Sequence, residues 1–177
     1  MSSFSKTTGT ALKLFRGGTT EIRIPRHAGF GVEQSLAFIE HAGQSKRDVN
    51  GGLIRIQNSL FRKYTTEISV SRTGTPTFGN LDSQDLLTIH CVVEITQRIA
   101  GGAATLSRDP VPGSVRCFNS NDRAITGFAV TDRSVTGASG ATYLTFRPIL
   151  ECAVSAFSWS KNEITGEVAW SLSAQEV

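Results

Sequence analysis

The sequence predicts an all-β chain: an antiparallel barrel or sandwich with a long C-terminal β-hairpin and a flexible N-terminal arm. Three observations predict it. From residue 142 to 156 the even positions read Leu144, Phe146, Pro148, Leu150, Cys152, Val154 and Ala156, against Thr145, Arg147, Ile149, Glu151, Ala153 and Ser155. After Ser160-Lys161-Asn162-Glu163 the alternation resumes with Ile164, Val168, Trp170, Leu172 and Ala174. A period of two over such lengths marks a hairpin with one buried face. A second alternating run, residues 85–97, places Leu87, Ile89, Cys91, Val93 and Ile95 in register as a central strand. Thirdly, scattered Gly, an internal Pro148 and frequent Thr, Val and Ile oppose helix throughout.

Each element follows from local chemistry. Residues 1–10 are rich in Ser, Thr and Lys with no apolar pattern, which predicts a flexible or partner-ordered arm. Residues 11–177 form a single β domain. Strands are expected at 11–16 and 19–24 around Gly17-Gly18, a hairpin signal. Residues 25–31 read as a loop, and 32–41 fit a strand better than a short helix in this β context. Residues 44–52 read as a charged loop closed by Asn50-Gly51-Gly52. Strands follow at 53–58 and 63–71, the latter with Tyr64, Thr66, Ile68 and Val70 on one face. Residues 72–80 form a loop stiffened by Pro76. From about 99 to 140 alternation never lasts, apart from possible short strands at 114–118 and 125–131. This loop-rich insert is the kind of segment that carries function or a variable surface. Pro148 inside a strand implies an edge or a bulge. Phe157-Ser158-Trp159 steps out of the apolar register, which means either an exposed contact patch or a bulge. The arms of the terminal hairpin, about 12 residues each, would reach roughly 40 Å. A usual strand has about 5–6 residues. A ribbon that long outgrows its own core and calls for a neighbouring subunit to cover it.

Bulk properties narrow the function classes. A chain of 177 residues with 39% hydrophobic and 19% charged residues can support a core. The net charge of +3 is mild, but its distribution is uneven. Residues 1–72 carry eleven Lys/Arg and five Asp/Glu, net +6; residues 73–177 carry seven and ten, net −3. A basic half docking on an acidic half of a copy fits this better than specific nucleic-acid binding. Cys91, Cys117 and Cys152 are odd in number and contain no C-x-x-C pair, so they read as packed thiols of a reducing compartment. No apolar run reaches the roughly 18 residues of a membrane-spanning helix, and the first residues lack a secretory pattern.

The sequence shows no catalytic constellation: no G-x-S-x-G, G-x-G-x-x-G, Walker loop or H-E-x-x-H. His27, His41 and His90 are far apart. A metal site from the three cysteines and one histidine would lack any close-spaced ligand pair, so no metal or cofactor is expected. Glu94, Glu151 and Glu167 would have to converge to serve as an acid/base pair; solvated strand faces, with partners such as Arg147, are the simpler reading.

Several strings then stand in a fixed order. They are Asn50-Gly-Gly-Leu-Ile-Arg-Ile56, Phe61-Arg-Lys-Tyr64, the loop through Pro76, Asp85-Leu-Leu-Thr-Ile-His-Cys91, Phe146-Arg-Pro-Ile-Leu150, Phe157-Ser-Trp159 and Trp170-Ser-Leu172. This order resembles small tail-tip structural proteins (baseplate or distal tail) of long-tailed bacteriophages, over about half the chain. The resemblance implies a non-enzymatic virion protein, made in the host bacterial cytoplasm. It implies assembly into a homo-oligomeric ring at the tail tip, beside tube and hub proteins and without a membrane. Interface candidates are Phe157, Trp159, Arg147, Phe61 and Tyr64. The alternatives are another virion role (tail tube, connector or capsid decoration) or a nucleic-acid-binding β-barrel using the basic half.

Overall fold

The computed structural model describes residues 10–24, 31–39, 43–57, 62–71, 78 and 81–177. Among them every regular element is a strand. In chain order these are β1 (Lys13–Arg16), β2 (Thr20–Ile22), β3 (Val32–Phe38), β4 (Gly43–Arg47), β5 (Leu53–Gln57), β6 (Tyr64–Ser71), β7 (Leu86–His90) and β8 (Ile95–Arg98). They continue as β9 (Ala104–Thr105), β10 (Arg116–Phe118), β11 (Ala124–Ile125), β12 (Ala129–Thr131), β13 (Ser134–Thr136), β14 (Tyr143–Phe146), β15 (Ile149–Lys161) and β16 (Val168–Glu176). All pairings are antiparallel, and the sheets stay open and pack in a sandwich-like way rather than closing into a barrel. Residues 1–9 of the expected arm 1–10, residues 25–30 of the expected loop 25–31, His27, His41, Phe61 and Pro76 lie outside the described residues.

The main sheet runs β2-β1-β7-β15-β16-β6-β3. Its alternation puts Leu14, Leu87, Ile89, Leu150, Cys152, Trp170, Leu172, Ile68 and Val70 on one buried face. Glu151, Glu67 and Gln175 stay exposed on the other. Gly17 and Gly18 turn β1 into β2 with φ of 59° and 76°, a left-handed conformation that favours glycine.

A single sheet buries one face here by curling on itself. In a flat sheet four strand spacings of about 4.8 Å would hold β3 roughly 19 Å from β7. That is beyond the reach of one glutamine. Yet Gln34 on β3 accepts the amide N–H of Val92, just past β7, at 2.7 Å. Its amide group donates to Thr66 Oγ1 at 3.0 Å, and Thr66 donates onward to the Ser35 carbonyl at 3.1 Å. The curl gathers the first core, into which Phe78 and Leu81 also pack.

The structure corrects three expectations about continuity. Residues 85–97 are not one strand: β7 ends at His90, and β8 belongs to the four-stranded sheet β11-β10-β14-β8. Residues 142–157 are likewise split, because β14 lies in that second sheet and β15 in the first. Both breaks fall at one seam, where the Cys91 amide donates to the Pro148 carbonyl at 3.0 Å. Pro148 has no N–H to continue a ladder, and it forms a lone bridge with Pro110. The third correction concerns residues 44–47, which are strand β4 rather than loop. β4 pairs with β5 through a turn in which Asp48 Oδ1 accepts the amides of Asn50 (2.9 Å) and Gly52 (2.6 Å).

The region 95–146 has its own core of Ile99, Leu106, Cys117, Val135, Leu144 and Phe146. It is built from very short strands, with β12-β13-β9 forming a third sheet. Close approach makes glycine necessary at Gly102 (φ 73°), where a Cβ would sit 3.2 Å from the Ala138 backbone. Arg108 ties this region to the main sheet. It ion-pairs with Glu176, donates from a terminal nitrogen to Glu176 Oε2 at 2.9 Å and to the Arg62 carbonyl at 2.7 Å, and lies over the Tyr64 ring.

Candidate functional site

In the distal half of the β15–β16 ribbon β16 stays paired with β6, while the outer edge of β15 has no strand partner among the described residues. Toward its base, β15 is flanked on both sides, with Ile149–Ala153 paired to β7 and the chain from Cys152 onward paired to β16. The register then shifts: Val154 faces Ala174, Ala156 faces Ser173, and Ser155 is the extra residue of a β-bulge. One inserted residue reverses the parity. Phe157, Trp159 and Lys161 therefore stand on the core side, opposite Leu172, Trp170 and Val168. Of the two sequence readings for Phe157-Ser158-Trp159, the bulge is present, and the rings are exposed unequally.

Phe157 is half-buried against Phe78, with ring centroids 4.8 Å apart. Phe78 also meets Trp170 edge-on at 5.1 Å, and Trp170 is only 2% exposed. Trp159 touches Phe157 at 5.5 Å and remains 65% exposed. Trp170 Nε1 is buried with no hydrogen-bond partner among the described residues. β7 ends its cover of β15 with the exchange of bonds between residues 84–85 and Val154. From Ala156 to Lys161 no described strand pairs with that edge of β15. The hairpin loop beyond carries Ile164, 96% exposed, which the alternation had placed on the buried face. Asn162 shapes that loop by accepting the amides of Ile164 and Thr165 at 2.9 and 3.2 Å, which takes Ile164 out of the strand register.

The other interface candidates lie elsewhere. Tyr64 sits at the base end, stacked on Phe38 at 4.7 Å and under Arg108; its own amide donates to Glu176 at 2.9 Å. Arg147 occupies the seam, where its carbonyl accepts from Val111 at 2.8 Å and its amide donates to Ser114 Oγ at 3.2 Å. Phe61 is outside the described residues. The structure thus brings Phe157 and Trp159 together and separates both from Tyr64 and Arg147.

A groove of about 580 Å³ opens beside β12, lined by Pro110, Val111, Pro112, Val115, Phe128 and Val130, with Asp109 and Asp132 at its rim. Sequence reading missed it because its walls come from two separate short segments, 109–115 and 128–132, with no common period. The Pro110-Val111-Pro112 run is its one local signal.

Titratable groups add no reactive centre to this surface. Burial pushes the thiols of Cys91 and Cys152 up to about 12, so both stay protonated at neutral pH. His90 is held below its ordinary value by burial, then by the nearby charges of Lys13 and Arg147. Glu94 in the β7–β8 connection, Glu151 on β15 and Glu167 in the terminal hairpin loop are all exposed. No group of three or more His, Cys, Asp or Glu suited to a metal occurs among the described residues. No helix among them is long and apolar enough to cross a membrane. What the arrangement offers is an open backbone edge next to an exposed aromatic ring. Comparison with known proteins returns no match to any protein-family model, curated protein or solved structure.

Proposed function

We propose that this chain is a structural subunit of a bacteriophage tail, part of the tail-tip or baseplate ring, which acts by homo-oligomerising and performs no catalysis. One observation carries the reading: among the described residues the edge of β15 from Ala156 to Lys161 has no strand partner, and Trp159 beside it is 65% exposed. Unpaired edges are templates for another chain, and proteins that remain monomers blunt them with charge, proline or a covering element. Here one lysine stands at the end of a run of Ala, Phe, Ser and Trp. Exposed tryptophan is characteristic of interface cores. The order of motifs, which resembles that of tail-tip proteins, supports a role for this surface in a virion, with tube and hub proteins as neighbours. The other virion roles require the same physics and differ in geometry.

The test is to interrupt the gene in the phage genome that carries it and to image the particles in the lysate. The reading requires tails that lack a tip or fail to assemble, restored when the protein is supplied. Complete tails without the protein would overturn it, and defective heads with normal tails would move it to the capsid.

A further inference from the structure

We infer that the distal edge of β15 docks head-to-tail onto the β12 groove of a second copy, with Trp159 in the groove and Lys161 against Asp132. The inference rests on the self-assembly reading above and names the two surfaces that meet. Both surfaces are open edges among the described residues. β12 is the outer strand of its sheet, its three residues are exposed, and Val130 within it is 40% exposed. The groove beside it is apolar, which suits an aromatic ring. Its rim is acidic on balance, because Asp109 is neutralised by Arg133 (2.7 and 3.0 Å) while Asp132 has no partner among the described residues.

The matching ligand is therefore an extended segment with an aromatic residue and a cation on the same face, two positions apart. Trp159-Ser160-Lys161 is that segment, already held as a strand whose edge is free among the described residues. Edge-to-edge addition would extend the ladder while the side chains fill the groove, a recurring mode of strand recognition.

The distal ribbon cannot reach the groove of its own chain. Pro110 bridges Pro148, and the Ile149 amide donates to the Asp109 carbonyl at 2.7 Å, so the groove is anchored where β15 begins. Trp159 lies ten residues farther along the same strand, roughly 33 Å away at ~3.3 Å per residue. A Trp159 that fills the groove therefore comes from another copy. Since the two patches differ, the contact is heterologous, and repeating it generates a ring when the rotation closes.

Complementation of two full-length variants tests this. Trp159→Ala removes the inserted ring and leaves the groove, whereas Val130→Asp spoils the groove and leaves the ribbon. Both sites are exposed enough for the fold to survive, which thermal melts would check. Each variant alone should be monomeric by light scattering, with association at least tenfold weaker than wild type. Their equimolar mixture should form a 1:1 dimer that grows no further. Lys161→Glu and Asp132→Lys should each weaken association and restore it when combined in one chain. A Val130→Asp protein that still assembles, while Trp159→Ala does not, would overturn the groove as the acceptor and leave self-assembly standing. The same holds if deleting residues 1–9 abolishes assembly and a peptide of that sequence occupies the groove instead. Wild-type protein that is monomeric throughout would defeat both readings.

Discussion

Gln34 and Val92 are joined by a 2.7 Å hydrogen bond that closes the curl of the main sheet, from the side chain of its edge strand to a backbone amide beyond β7. The same carboxamide also bonds Thr66, so both of its ends are used in a partly buried site. Gln34→Ala should destabilise the protein by about 1–3 kcal/mol, the usual cost of leaving a buried donor unsatisfied. Denaturant unfolding measures this, and amide exchange at Val92 should accelerate more than exchange at Leu172. An unchanged midpoint would show that the curl is held by apolar packing alone.

The paired tryptophans should respond in opposite ways. Trp170 is buried against Phe78, so Trp170→Ala should cost about 3–5 kcal/mol, as other large core truncations do. Trp159→Ala should change monomer stability by no more than about 0.5 kcal/mol, as at other exposed positions. Melts of the two variants at low concentration separate the roles; equal losses would contradict the division into core and contact surface.

Much of this architecture was legible in the sequence, for a definite reason. Alternation reports which face of a strand is buried, so Leu150, Cys152, Val154, Trp170 and Leu172 were identifiable as core. It does not report which strand lies alongside. The parity of residues 85–97 and 142–156 continues through Cys91 and Pro148 while the chain passes from one sheet to another. The inserted residue at Ser155 was visible only as a change of phase at Phe157. Gln34 carries no mark at all: its role arises because sheet curvature brings Val92 near. The groove is unreadable for the same reason, since Val111, Phe128 and Val130 share a wall but no period.

Arg108 and Glu176 should be energetically coupled, because they join the region of the second core to the main sheet. Their side chains are 22% and 10% exposed, and Glu176 also accepts the Tyr64 amide. Glu176→Gln should destabilise by about 1–3 kcal/mol, in the range for hydrogen bonds to charged groups. A double-mutant cycle with Arg108→Ala measures the coupling; additive losses would mean that the two units are held together by the seam at Pro148 instead.

Stability should fall in alkaline solution partly through two thiols. Cys91 and Cys152 ordinarily titrate near 9.0, and burial raises both to about 12 in the folded chain. Above about pH 9 the unfolded state has released protons that the native state still binds, so the free energy of unfolding decreases with pH. This contribution is fully present below about pH 9 and is lost progressively as pH rises toward 12. A Cys91→Ala, Cys152→Ala double variant should show a shallower decline in denaturant midpoint from pH 8 to 11 than wild type. Parallel declines would show that the loss comes from other groups.

The central claim, that this chain works by assembling with copies of itself through the distal ribbon, is tested most directly by solution mass. Sedimentation equilibrium of the full chain and of Trp159→Ala should be compared across a hundredfold range of concentration. The account predicts that wild type approaches a closed multiple of 19.0 kDa while the variant, equally folded, stays at 19.0 kDa. Wild type remaining at 19.0 kDa over the whole range would contradict it.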